Sequence, residues 1–100
     1  MAYTIEIVRQ AVDELRATPM HNRRAIAAAI EEQLIHQPTL ITRNRKPLPG
    51  LRPSVEHVPP VWELKVGDYR VFYDVDEQLG WVFVRAIRHK GEGKTTEDIT

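Results

Sequence analysis

The stretch from Val61 to Asp76, Val-Trp-Glu-Leu-Lys-Val-Gly-Asp-Tyr-Arg-Val-Phe-Tyr-Asp-Val-Asp, constrains the fold more than any other part of the chain. Apolar and polar residues alternate on both sides of Gly67-Asp68, the pattern of two half-buried strands joined by a two-residue turn. Pairing about that turn sets Val66 opposite Tyr69, Leu64 opposite Val71 and Trp62 opposite Tyr73. Directly opposed residues share a face of the sheet. One face therefore collects Trp62, Leu64, Val66, Tyr69, Val71, Tyr73 and Val75, and is the expected core face. The other collects Glu63, Lys65, Arg70, Phe72 and Asp74, with Lys65 directly opposite Arg70. Two facing cations repel unless something negative lies between them. Asp68 or Asp74 of the same chain would serve, and so would the phosphate of a partner.

The flanking segments complete an α+β pattern. Residues 3–8 alternate and are β-branched, predicting a strand. Ala11, Val12 and Leu15 fall at helical spacing, and Thr18-Pro19 stops that helix. Asn22 is placed to cap a second helix running to about His36 and ending before Pro38, with Ile26, Ile30 and Leu34 as its apolar stripe. Two short helices joined by a tight turn are expected as an antiparallel pair on the sheet. Residues 81–89 supply a further strand whose register the sequence leaves open. With Val82, Val84 and Ala86 in the core, Phe83, Arg85, Ile87 and His89 lie beside Phe72 and Arg70; a slip of one residue brings Arg88 and Lys90 there instead. Residues 39–60 hold five of the seven prolines and read as an irregular basic loop, while residues 91–100 read as a flexible tail.

A chain of 100 residues is expected to form one domain, spanning 1–100. It contains no cysteine, which excludes disulfides and thiolate metal sites. No basic leader or long apolar run is present, so no membrane association and a cytoplasmic setting are expected. The formal net charge of zero argues against a nucleic-acid partner, but its distribution does not. Residues 43–90 carry nine cations against six carboxylates, clustered as Arg43, Arg45, Lys46 and Arg52, and again as Arg85, Arg88 and Lys90. Exposed charges are screened within about 8–10 Å, so a local cluster sets the field that a phosphate feels.

Other motifs carry little. Gly93-Lys94-Thr95 lacks the earlier glycine and the following helix of a phosphate-binding loop, since Arg88 stands where the glycine belongs. The four histidines show no ligand spacing, so neither a metal nor a cofactor is implied. Ser54, the one serine, lies in the proline-rich loop, where nothing suggests a histidine-activated nucleophile. His89 stands out by its neighbours Arg88 and Lys90. Metal-free RNA cleavage needs a base for the 2′-hydroxyl, cations for the phosphorane and an acid for the leaving 5′-oxygen. Arg70, Lys65, His89 and Lys90 are the residue types that could supply these, against the plainer reading of His89 as a passive strand-end residue.

The order strand–helix–helix–three strands, with Trp62 to Val75 followed by Val82-Phe-Val-Arg-Ala-Ile-Arg-His-Lys90, resembles the RelE/ParE superfamily of bacterial toxins. Gly67-Asp68-Tyr69-Arg70-Val71-Phe72-Tyr73 is the most specific part, and Pro47-Leu48-Pro49-Gly50-Leu51-Arg52 is similar to that family's approach to its second strand. The resemblance implies a small RelE-like fold, with two antiparallel helices on a mainly antiparallel sheet. It also implies a toxin of a type II toxin–antitoxin pair, with a cognate antitoxin, the ribosome and mRNA as partners. RelE-like members cut mRNA in the ribosome without metal; ParE-like members bind DNA gyrase; an inactive fold would bind only its antitoxin. On this resemblance Arg70 matches the family's phosphate-contacting arginine, His89 lies near the histidine of YoeB-like members, and Lys90 and Lys65 fall at basic positions. Arg43, Arg45, Lys46, Arg52, Arg85 and Arg88 are then expected to bind substrate RNA. Three departures stand out: Glu63 and Val61 replace catalytic lysines of RelE, and no tyrosine follows Lys90.

Overall fold

A computed structural model describes residues 2–53, 56–91 and 94–100. Ser54 and Gly93, weighed above, lie outside the described residues. Among the described residues eight elements follow in chain order: β1 (Thr4–Ile7), α1 (Arg9–Arg16), α2 (Met20–Leu34), β2 (Arg45–Leu48), β3 (Val61–Val66), β4 (Tyr69–Asp76), β5 (Trp81–His89) and α3 (Thr96–Ile99). The five strands form one sheet in the order β1-β5-β4-β3-β2. All neighbours are antiparallel except β1, which runs parallel to β5.

The β3–β4 hairpin takes the register that alternation predicts, Trp62 to Tyr73, Leu64 to Val71, Lys65 to Arg70 and Val66 to Tyr69. Gly67 has φ +56° and no described non-glycine residue has positive φ, which fits a turn with glycine in its first central position. A side chain at Gly67 would meet no neighbour but would be forced into the left-handed region. The main core lies on the expected face. Ala11 of α1 and Ile26, Ile30 and Leu34 of α2 pack on Trp62, Leu64, Val71, Tyr73, Val82 and Val84. Helix α2 begins after Pro19 and includes Asn22, so Asn22 is not its cap. The proline supplies a preset φ in place of a side-chain cap.

Two further expectations are corrected. The Pro-rich segment 39–60 is not wholly irregular, because Arg45–Leu48 adds an edge strand to β3. Pro47 is tolerated there because an edge strand can leave one side of its backbone unpaired. Residues 94–100 of the tail are not loose either. Thr95 caps α3 through a reciprocal hydrogen-bond pair with Asp98, and Ile99 lies 9% exposed against Val61, Phe72 and Ala86. The sheet thus carries a second, smaller core on the face expected to be open and cationic.

The register of β5, which the sequence leaves open, is resolved by the pairing with β4. Strand β5 pairs Val82 with Val75 and Val84 with Tyr73, then shifts by one residue, so that Ala86 faces Phe72, Ile87 faces Val71 and Arg88 faces Arg70. Arg85 is the extra residue of this bulge, and an odd insertion exchanges the faces of everything beyond it. The strand adopts one of the two anticipated registers before Arg85 and the other after it. The backbone N–H of Ile87 donates to Glu14 Oε1 of α1 at 2.8 Å, which ties the shifted segment to the helix layer.

Candidate functional site

The cationic residues expected at the site divide into two groups. A cavity of about 240 Å³ on the outer face is lined by Arg43, Arg45, Lys46, Lys65, Arg70 and Lys90, with Asn44 and one carboxylate, Glu63. Four separate pieces of chain build it. A tight turn, with Thr42 and Arg45 exchanging backbone hydrogen bonds, presents Arg43 and leads into β2. Lys65 and Arg70 come from the hairpin, and Lys90 follows β5, its N–H donating to the Asp68 carbonyl at 2.7 Å.

Within the cavity the cations are not equivalent. Arg70 is 9% exposed, and its Nη1 donates to the carbonyls of Gly67 and Tyr69, both at 2.9 Å. Its Nε lies 3.9 Å from Glu63 Oε2. Arg45 is buried and donates to the carbonyls of Gln33 and Gln37, so it fastens β2 to the end of α2. Arg43, Lys46 and Lys65 are exposed, with Lys46 Nζ 3.9 Å from Glu63 Oε1. Glu63 is held in place from above by α3, whose Thr96 hydroxyl donates to Oε2 at 2.7 Å. The facing cations Lys65 and Arg70 therefore have a carboxylate of their own chain beside them, but it is Glu63 rather than Asp68 or Asp74.

The remaining expected residues lie elsewhere. Arg85 donates to Asp74 from Nε at 2.7 Å and from Nη2 at 3.2 Å, stacks over Phe83 at 4.8 Å and has Glu56 at 3.7 Å. Asp74 is fully buried and also accepts the N–H of Val58, so this pair pins the Pro-rich segment to the sheet. Arg88 pairs with Glu14 and donates to the Ile99 carbonyl at 3.1 Å, linking α1, β5 and α3, and burial lowers its pKa. Arg52 is exposed and does not line the cavity. His89 pairs in register with Tyr69 and meets its ring edge-on at 5.0 Å, on the helix side of the sheet. The bulge at Arg85 is the reason, and the expectation that His89 joins Arg70 is corrected on that ground.

The assembled cavity is suited to anions by charge and by geometry. A phosphate placed in it would meet ammonium groups on long, adaptable stems and one guanidinium fixed by its own backbone bonds. Among the described residues no three His, Cys, Asp or Glu side chains are grouped to hold a metal ion. Among the same residues no helix is long and apolar enough to cross a membrane.

A family model described as the ParE toxin of the type II toxin–antitoxin system parDE matches residues 5–93. No match was found among curated proteins. Three solved structures are similar in fold. The toxin–antitoxin complex RelBE2 from Mycobacterium tuberculosis has TM-score 0.70 and 22% identity, covering 89% of this chain and 99% of that one. The archaeal RelE–RelB complex from Pyrococcus horikoshii has TM-score 0.72 and 21% identity, covering 93% and 100%. A mutant of the E. coli toxin RelE with two arginines replaced by alanine, in the free state, has TM-score 0.69 and 23% identity, covering 94% and 88%.

Proposed function

This chain belongs to the ParE toxin family, within the RelE/ParE superfamily of type II toxin–antitoxin systems, and from that premise we propose that it arrests translation by cutting ribosome-bound mRNA without a metal ion. The observation that carries this reading is the cavity, whose lining brings Arg43, Lys46, Lys65, Arg70 and Lys90 together with a single carboxylate, Glu63, while Arg45 is spent on the end of α2. RNA transphosphorylation passes through a phosphorane whose charge exceeds that of the bound phosphate, so fixed cations favour the transition state over the ground state. Arg70 and Lys65, opposed across the hairpin, flank the phosphate. Lys90 protonates the departing 5′-oxygen. Arg43 and Lys46 hold the neighbouring backbone, and Arg45 shapes the cavity wall. His89, on the opposite face, receives no role in proton transfer. The protein partner is a cognate antitoxin whose acidic segment meets the same cations.

A second reading, which the resemblance to ParE-like members implies, is a non-nucleolytic toxin that binds DNA gyrase. The two separate in one pair of assays. Purified toxin is added to a reconstituted translation reaction, with mRNA ends mapped by primer extension, and to a gyrase supercoiling reaction. Cuts in ribosome-bound mRNA with unimpaired supercoiling are expected. Blocked supercoiling with intact mRNA would replace the nuclease reading by the gyrase one. Inertness in both would leave a fold that only binds its antitoxin.

A further inference from the structure

The proposed reaction needs a proton acceptor, and the cavity offers few. Apart from Asn44, its lining side chains are cations or Glu63. Ammonium and guanidinium groups donate hydrogen bonds and accept none, whereas an ionised carboxylate only accepts. Glu63 stands on β3 in register with Lys46 on one side and Phe72 on the other, so it occupies the middle row of the outer face. Its side chain is 6% exposed. Its two oxygens have different surroundings. Oε2 is fixed by the Thr96 hydroxyl at 2.7 Å. Oε1 has Lys46 Nζ at 3.9 Å, too far for a hydrogen bond.

We infer that Glu63 is the general base of this toxin, taking the 2′-hydroxyl proton of the substrate ribose on Oε1 while Thr96 holds Oε2. The inference rests on the endoribonuclease reading above. Glu63 Oε1 receives the proton as the 2′-oxygen forms its bond to phosphorus. The bond from phosphorus to the 5′-oxygen breaks, and that oxygen takes a proton from the Lys90 ammonium. The products are a 2′,3′-cyclic phosphate and a 5′-hydroxyl end. Solvent then removes one proton from Glu63 and returns one to Lys90, so no further reactant is needed. A base aimed at the 2′-hydroxyl also sets the substrate class, because a 2′-deoxy strand has no proton to give and no nucleophile there.

A buried carboxylate beside cations can equally be a mere counter-ion, and Glu63→Gln separates the two roles. Glutamine keeps the volume and can still accept from Thr96, but it cannot serve as the base. The rate of mRNA cleavage on the ribosome is expected to fall by roughly 100- to 10,000-fold. Binding of a 2′-deoxy oligonucleotide should hold or tighten, since one negative charge leaves the cavity. Glu63→Asp should recover part of the rate. The wild-type rate should decline toward acid pH, and that acid limb should be missing from the residual activity of Glu63→Gln. Wild-type cleavage with an equally fast Glu63→Gln would overturn the role of Glu63 while sparing the nuclease reading. A wild-type protein that leaves mRNA uncut would remove the nuclease reading itself. Should Glu63→Gln lose its thermal unfolding transition, the wild-type pH profile at saturating mRNA decides, and a profile without an acid limb overturns the role.

Discussion

Arg70 joins two functions in one side chain. It closes the β3–β4 turn through the carbonyls of Gly67 and Tyr69, and it lines the anion cavity. Hydrogen bonds from charged donors contribute about 1.5–3 kcal/mol where they are well formed. Arg70→Ala is therefore expected to cost about 2 kcal/mol in urea unfolding, to leave the fold intact and to abolish growth arrest on expression. A variant as stable as the wild type and equally toxic would count against both roles. The placing of Arg70 opposite Lys65 was legible in the sequence, because a two-residue turn fixes the count on either side. The roles of Arg45, Arg85 and Arg88 were not, because their partners at Gln33, Asp74 and Glu14 are remote in sequence and nothing local signals them. Glu63 does carry a local signal. It shares a predicted face with Lys65 and Arg70, and a carboxylate among cations in a half-buried row is visible in the alternation alone.

Among elements, α3 is one that the sequence concealed. Four residues make too short a helix to show periodicity, and its stability comes from Ile99 and from the Thr95–Asp98 capping pair. Ile99→Ala should destabilise the protein by about 2 kcal/mol, at the low end for a buried aliphatic residue, read as a lowered melting temperature. The capping pair also gives α3 a pH dependence. The backbone N–H and the hydroxyl of Thr95 hold the Asp98 carboxyl below its ordinary 3.8. A depressed folded-state pKa means that the charged form favours the docked helix above the unfolded value, and that this contribution disappears as pH falls through the folded value. The Ile99 methyl signals in NMR should accordingly shift toward undocked values as pH drops below about 4, and Asp98→Asn should remove that acid step. Because α3 also carries Thr96, Thr96→Val should reduce mRNA cleavage by about fivefold, the equivalent of one hydrogen bond worth about 1 kcal/mol, and should lower the melting temperature by no more than about 4–8 °C. The hairpin, by contrast, was legible in full, since its alternation and turn chemistry agree. Strand β2 was hidden because its proline-rich sequence has poor strand propensity, and only pairing with β3 overrides it.

At the scale of the whole molecule, one sheet supports two cores and a charged cavity. The larger core faces α1 and α2, and the smaller one faces α3 beside the cavity. A buried ion pair, Asp74 with Arg85, holds the outer side together, and removing one partner leaves an unpaired buried charge. Asp74→Ala is expected to cost about 3–5 kcal/mol, measured by denaturant unfolding, and the double replacement Asp74→Leu with Arg85→Met to cost less. The uneven spread of charge on a chain of zero net charge should also appear in solution. RNA binding should weaken steeply with salt, by a log–log slope of about −0.7 for each phosphate neutralised on a single strand. One odd residue in β5 governs what the far end of that strand offers to a ligand. With Arg85 counted in, the outer surface receives arginine and lysine while imidazole is turned away. A deletion of a single codon between Val84 and Ile87 would reverse that arithmetic, rotating His89 into view and withdrawing its neighbours. The chemical repertoire of this corner is thus set by whether a short stretch of backbone holds an even or an odd number of residues.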